Sequence, residues 1–435
     1  MQATPLSAGD TAWVLASAAL VLLMVPGLAL FYGGMVRGKN VLNTLMMSMA
    51  ALAVVGVQWI LIGYSLSFGG SSSWIGGLEL VGFAGVTGAP ADADGTIPHL
   101  AFAVFQGMFA VITVALISGA LVERMSFRAY LLFAILWTTL VYDPLCHWVW
   151  GEGGWLGELG ALDFAGGTVV HISAGASALI AAVIVGPRRD YRRLPLVPHN
   201  VPFTLFGAGL LWFGWFGFNA GSALSAGETA AVAFAATFAA PAAALTMWIL
   251  LDLYRTGRTT AVGAATGVVV GLVAVTPAAG FVTPVGALAI GALAASVSYG
   301  AIQLRSRIAI DDSLDVFACH GVAGVMGALL TGVFATTAVN PDGADGLLHG
   351  GTALIGAQAI AVLATLAFAG VLTAVILKLV ALITPLRVPV GAELGGLDVG
   401  EHGEAAHHFD ELGVGSGVRP SLGESVLVVG ERWSG

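Results

Sequence analysis

Eleven stretches of this chain are apolar for long enough to cross a lipid bilayer, and that limits its fold more than any other feature. A helix needs about 20 apolar residues to cover about 30 Å of hydrocarbon. Runs of that kind fall near 11–36, 41–68, 98–122, 128–149, 165–186, 199–220, 227–253, 260–280, 283–304, 316–338 and 350–385. Charged residues make up only 9 % of the chain, against about 25 % in an average soluble domain. Gly fills 61 of 435 positions, which suits helices packed closely in lipid. A soluble enzyme, a nucleic-acid binder and a disordered chain are excluded, and an all-α integral membrane protein is expected. The first ten residues carry no basic n-region, so the first run is read as a span and not as a signal peptide.

The 16 Lys and Arg test this count. Arg37 and Lys39 follow span 1, Arg124 and Arg128 lie between spans 3 and 4, and Arg188, Arg189, Arg192 and Arg193 separate spans 5 and 6. Arg255 and Arg258 follow span 7, Arg305 and Arg307 follow span 9, and Arg387, Arg419 and Arg432 belong to the tail. Lys378 alone falls within a span, near its end, where it can snorkel. The alternate connections 69–97, 150–164, 221–226, 281–282 and 339–349 hold no Lys or Arg. The positive-inside rule then puts the N-terminus outside and the C-terminus in the cytoplasm of a cell membrane. The run 350–385 would make about 52 Å of helix, so it must tilt or project. The expected organisation is a transmembrane unit over 1–385, with repeats at about 10–186 and 199–338 and helix 11 at about 350–385. A polar cytoplasmic tail over 386–435 follows.

The two repeats rest on a short motif. Span 5 reads His171-Ile-Ser-Ala174-Gly175 and span 10 reads His320-Gly-Val-Ala323-Gly324. An acidic residue precedes each, Asp163 in the first and Asp315 in the second. These are the fifth spans counted from span 1 and from span 6. Five is odd, so the second copy enters the membrane upside down, the inverted-repeat plan that puts a working site between repeats.

Ionisable side chains inside spans are expensive and mark function. Of nine His, only His171 and His320 lie deep. For an isolated His, a packing residue bonded to a carbonyl is the ordinary account, but two in equivalent positions favour a pair of imidazoles facing one pore. Aromatic residues gather toward the outside: Trp150 ends span 4, Phe105 and Phe109 sit one turn apart, and Trp215, Phe216 and Phe218 end span 6 with Ser222. An interfacial belt or plain helix packing would explain any one of them. Together they also fit a vestibule whose ring faces hold a cation and whose hydroxyl accepts its hydrogen bond. Asp163 is most simply a helix N-cap that also attracts a cation through its field. Asp311, Asp312 and Asp315 at the inner mouth fit capping or loop pairing.

Magnitudes select the cargo. Moving a small ion into low dielectric costs on the order of 20 kcal/mol, while a desolvated cation–π contact returns about 2 kcal/mol. Rings can therefore hold an ion at the mouth but cannot carry it through. An amine-like cation titrating about three units above neutrality sheds its proton for roughly 4 kcal/mol. Neutral His in an apolar lumen would line the path of the uncharged species and relay the proton. Potassium has no such route.

The residues PGLALFYGGMVRGKNVLN (26–43), HLAFAVFQGMFAVIT (99–113), DFAGGTVVHISAG (163–175), GWFGFNAGSA (214–223), DDSLDVFACHG (311–321) and GLDVGEHGE (396–404) make the chain resemble the ammonium transporter family, Amt-type, with the Rh proteins as relatives. The likeness covers residues 10 to about 410. It implies trimers of eleven-helix subunits, each with its own narrow apolar pore. It also implies an outer ammonium (or methylammonium) site at Phe109, Trp150 and Ser222 with Trp215 adjacent, and a gate of stacked rings at Phe109 and Phe218. His171 and His320 match the family's paired pore histidines, and Asp163 its acidic residue near the vestibule. A PII-type nitrogen-signalling protein at the cytoplasmic face is a further expectation. Residues after about 410 match nothing in the family pattern.

Ammonium uptake is thus the leading expectation, and an ammonium sensor signalling to a cytoplasmic partner is the alternative. No metal triad, nucleophile motif or cofactor signature points to an enzyme, and Cys146 and Cys319, both inside apolar runs, suggest neither a disulfide framework nor a metal site.

Overall fold

A computed structural model describes residues 6–91, 95–194 and 196–407. His408, Arg419, Arg432 and the segment after about 410 lie outside them. The described residues form helices only, apart from one bridge between Met125 and Arg387. Among the described residues, ten helices have the length and apolarity to cross a membrane: α1 (Ala8–Met35), α2 (Gly38–Phe68), α3 (His99–Ser118), α4 (127–150), α5 (Gly167–Val185), α6 (Val201–Ala220), α7 (Glu228–Thr256), α9 (Pro284–Arg305), α10 (Phe317–Phe334) and α11 (Ala353–Ile383). The shorter apolar α8 (Ala261–Val275) completes the eleven.

Local chemistry sets where several helices begin. The side chains of Ser7, Ser126, Asn200, Thr260 and Thr283 each accept a hydrogen bond from an amide in the first turn of α1, α4, α6, α8 and α9. The run 260–280 is helical only as far as Val275. Pro277 has no amide hydrogen to continue the ladder, and the chain turns with Thr276, Ala278, Ala279 and Val282 fully buried. Such backbone survives at membrane depth because protein covers it, and Phe164 N–H donates to the Pro277 carbonyl at 3.1 Å.

The repeats meet along their first and last helices. Where α1 crosses α6, a Cβ on Gly207 would stand 2.3 Å from the Phe31 amide nitrogen, and one on Gly214 2.3 Å from Met24 Cγ. Only glycine lets these helices approach so closely. Helix α11 lies outside both repeats. Its 31 residues span about 46 Å at 1.5 Å per residue. Gln358, Val362, Thr365, Ala369, Thr373, Ile376 and Val380 form its buried face, while Leu363 and Leu382 are exposed.

Four of the basic connections meet at one face. Glu123, fully buried, accepts from Arg37 at 2.7 Å and Arg188 at 2.9 Å, and Arg188 also pairs with Asp311 at 2.8 Å. Arg124, also fully buried, donates to Ser313 Oγ at 2.7 Å and to the carbonyls of Asp311, Ala120 and Gly186. The segment after α11, expected as a plain polar tail, forms two short helices, α12 (Val390–Gly395) and α13 (Leu397–His402). They dock on this face. Asn43 N–H donates to Asp398 at 2.9 Å, Leu397 N–H to Asn40 at 2.9 Å, and Phe127 N–H to Glu401 at 2.8 Å.

Candidate functional site

Five of the membrane helices contain a π turn: Trp59–Gly63, Thr138–Tyr142, Gly167–Ile172, Phe216–Ala220 and Phe317–Val322. Such wide turns occur often at functional sites because they displace the side chains around them. The last three carry His171, Phe218 and His320.

The entry to α5 is built on Asp163. Its Oδ1 accepts the amides of Gly166 (2.8 Å) and Gly167 (2.6 Å), and its Oδ2 those of Thr168 (2.7 Å) and Val169 (3.1 Å). One carboxylate thus occupies the unpaired amides that open this helix. Its own carbonyl accepts the Trp150 indole N–H at 2.8 Å, which fixes the plane of that ring. Both oxygens are committed to backbone, so Asp163 can act on a ligand only through its field.

The equivalent cap in the second repeat is Asp312, not Asp315. Asp312 accepts the amides of Val316 (3.0 Å) and Phe317 (2.7 Å) at the start of α10, and it precedes His320 by the same eight residues that separate Asp163 from His171. Asp315 has φ +56°, a left-handed conformation unsuited to capping, and pairs instead with Arg305 at 2.5 Å. Burial pushes its carboxyl up to about 7 despite that cation.

From the Trp150 end, the aromatic side chains form a column. Phe109 meets Trp150 edge-on at 6.1 Å and Phe105 at 4.9 Å, and stacks on Phe218 at 4.3 Å. Phe109 and Phe218 are fully buried, whereas Trp150 and Ser222 are half-buried. The Ser222 hydroxyl donates to the Phe218 carbonyl at 2.9 Å, which leaves its lone pairs free to accept. Beneath the stacked rings, His171 lies 6.0 Å from Phe218 and stacks on Trp215 at 5.3 Å. Trp215 is held by a hydrogen bond to Thr276 at 2.9 Å. His171 and His320 stack at 5.4 Å, with their Nδ1 atoms 3.3 Å apart. A cavity of about 260 Å³, lined by Tyr32, Met35, Asp315, Cys319 and Arg305, reaches His320 from the basic face.

The motif glycines explain how two helices bring imidazoles this close. A Cβ on Gly175 would stand 2.2 Å from the Gly321 amide nitrogen, and one on Gly324 3.2 Å from both the Gly167 carbonyl and His171 Cβ. Each glycine of the repeated His-x-x-Ala-Gly therefore receives the other helix.

Sequence reasoning passed over Thr276, and also Asp143, an acidic residue inside the run 128–149. Asp143 is fully buried in α4 and accepts Gln58 Nε2 at 2.7 Å. These residues sit beside two π turns, in α2 and α4, and the signal available was the carboxylate within an apolar run.

The helices, the repeats and this buried column define a multi-pass membrane transporter. Residues 12–407 match the model of the Ammonium Transporter Family, so the chain belongs to that family. The ammonium transporter of Bacillus subtilis is 50 % identical over 400 residues, covering 92 % of this chain and 98 % of its own. The crystal structure of Saccharomyces cerevisiae Mep2 superposes with TM-score 0.83 at 38 % identity, covering 88 % of each chain. A structure described as a sensor Amt protein superposes with TM-score 0.83 at 30 % identity, covering 91 % of this chain and 98 % of its own. Membership makes this chain an ammonium transporter and not an enzyme.

Proposed function

We propose that the chain takes up ammonium by capturing the cation at Trp150, Phe109 and Ser222, removing its proton, and passing ammonia between Phe109 and Phe218 to His171 and His320. The single observation that carries this reading is the unbroken sequence of contacts from Trp150 through the stacked phenylalanines to the paired imidazoles. At the vestibule, ring faces and the Ser222 lone pairs favour a small hydrogen-bond-donating cation, and the field of Asp163 adds to the attraction, whereas Trp215, expected beside this outer site, lies beneath the stacked rings against His171. Deprotonation hands the proton to water at the half-buried vestibule and leaves the electron pair on nitrogen, and the neutral molecule passes between the rings to the ring nitrogens of His171 and His320. The imidazole pair then relays a proton if one follows.

The basic face is the cytoplasmic one on this reading, and the N-terminus lies outside the cell membrane. The subunits work as homotrimers, each with its own pore. The docked α12 and α13 segment gives a PII-type partner a surface beside the inner cavity. A sensor reading draws on the likeness to the sensor Amt protein, and ammonium current from purified protein in liposomes separates the two. The uptake mechanism is tested by saturable methylammonium uptake into vesicles. Trp150→Leu should raise KM about 30-fold, matching the loss of about 2 kcal/mol of cation–π attraction. His171→Leu should lower the plateau rate. If both variants transport normally, the mechanism is wrong.

A further inference from the structure

Helix α11 belongs to neither repeat, yet one of its side chains touches both. Gln358 is 1 % exposed. Its Oε1 accepts the Leu162 amide at 2.8 Å, and its Nε2 donates to the Leu162 carbonyl at 2.9 Å and to the Ala328 carbonyl at 2.9 Å. A primary amide has one oxygen and two N–H hydrogens, and all three are engaged.

The partners are not arbitrary. Taking both the N–H and the C=O of Leu162 fixes the orientation of the peptide units on either side of it, as a neighbouring strand would. The next residue is Asp163, whose carbonyl holds the Trp150 indole and whose carboxylate opens α5. Ala328 lies in α10, eight residues beyond His320, and packs with Ile172 of α5 and Val362 of α11. Gln358 therefore ties the chain entering the first His-bearing helix to the body of the second. Its tether runs through two hydrogen-bonded steps to the ring at the mouth: Gln358 to Leu162, then Asp163 to Trp150.

We infer that Gln358 is a positioning residue for cation capture: by clamping Leu162 between α11 and α10 it sets the position of Asp163 and, through the Asp163 carbonyl, the plane of Trp150. The inference rests on the reading of Trp150 as the capture site. A hydrogen-bonding residue that only satisfied buried carbonyls would change the amount of folded protein and leave the affinity of each folded molecule untouched. A positioning residue changes affinity.

The test is methylammonium uptake by full-length protein in vesicles, normalised to folded protein. Gln358→Met keeps the length of the side chain and removes all three hydrogen bonds. It should raise KM about 10-fold and change the plateau rate less than 3-fold. Added to Trp150→Leu it should raise KM less than 2-fold further, because the ring it positions is already gone. Gln358→Glu keeps the acceptor for Leu162 and should raise KM at least 3-fold, carrying the test alone if Gln358→Met does not accumulate. An unchanged KM in the Gln358 variants while Trp150→Leu raises it overturns this inference alone, as does a full multiplicative effect in the double variant. An unchanged KM in Trp150→Leu overturns the capture reading on which it stands.

Discussion

Gly175 of α5, one turn beyond His171, and Gly321 of α10, next to His320, touch backbone to backbone, and a single methyl group between them would stand 2.2 Å from the Gly321 amide nitrogen. The crossing sets the 3.3 Å separation of His171 and His320 Nδ1. At that distance one ring must donate and the other accept, so the pair shares one hydrogen between the Nδ1 atoms.

Gly175→Ala should therefore separate the rings. The obstructing atom is backbone, which cannot rotate away, so the helices must part by an ångström or more. Methylammonium uptake per folded molecule should fall more than 10-fold. Gly324→Ala should be milder, because its nearest contacts lie at 3.0–3.2 Å. Equal transport by both variants, measured against protein content, would remove the helix crossing from the explanation.

Asp163→Asn tests the cap and the field together. The asparagine oxygen can serve two of the four amides and its NH₂ none. Two buried N–H groups are left unpaired at about 1–3 kcal/mol each, so the variant should fold with a lower melting temperature and a methylammonium KM raised at least 10-fold. Asp163→Ala orphans all four and should fail to accumulate. Wild-type affinity in a folded Asn variant would show that the charge contributes nothing to capture.

Phe218→Leu tests the closure. Phe109 and Phe218 stack with centroids 4.3 Å apart, and on the proposed mechanism ions are excluded because water is kept out between them. A smaller side chain admits water, and the cost of charge entry, on the order of 20 kcal/mol in a dry site, falls steeply. The potassium current relative to methylammonium current in liposomes should rise at least 10-fold. An unchanged ratio would locate the ion barrier at another point in the conduit.

Span count was legible because bilayer thickness is a property of the solvent, and any chain that crosses it must carry runs of matching length. The His pair was legible for a related reason: duplication repeats the sequence around it. Asp312 was among the carboxylates that fit capping, but Asp315 was matched to Asp163, whereas the capping register, eight residues before each His, assigns that place to Asp312. Thr276, Gln58 and Gln358 were invisible because their partners lie on other helices, and no periodicity within one helix encodes a contact between two, whereas Asp143 stood in the sequence as a carboxylate within an apolar run. The docked α12 and α13 were missed for want of an apolar run. Their attachment is by polar contacts, Asp398 with the Asn43 amide and Glu393 with the Arg189 amide, each at 2.9 Å, and composition reads such residues as solvated.

The buried ion network at the basic face makes the last prediction, one of pH. Burial alone would push the Glu123 carboxyl up, but hydrogen bonds from Arg37 and the charges of Arg188 and Arg37 outweigh it and hold it at about 2. An acid whose folded pKa lies below its value of 4.5 in an unfolded chain binds fewer protons when folded. Its stabilisation is therefore complete above 4.5 and is lost as pH falls toward 2. The gap is worth on the order of 3 kcal/mol at 1.36 per unit. Glu123→Gln keeps the shape and removes the charge, leaving Arg37 with Asp190 and Arg188 with Asp311. In thermal unfolding of the detergent-solubilised protein, the variant should melt well below the wild type at pH 7, with a constant difference down to about pH 5. Below that the two curves should converge and meet near pH 2. A difference that persisted undiminished to pH 2 would mean that packing, not the ionised carboxylate, supplies what the substitution removes.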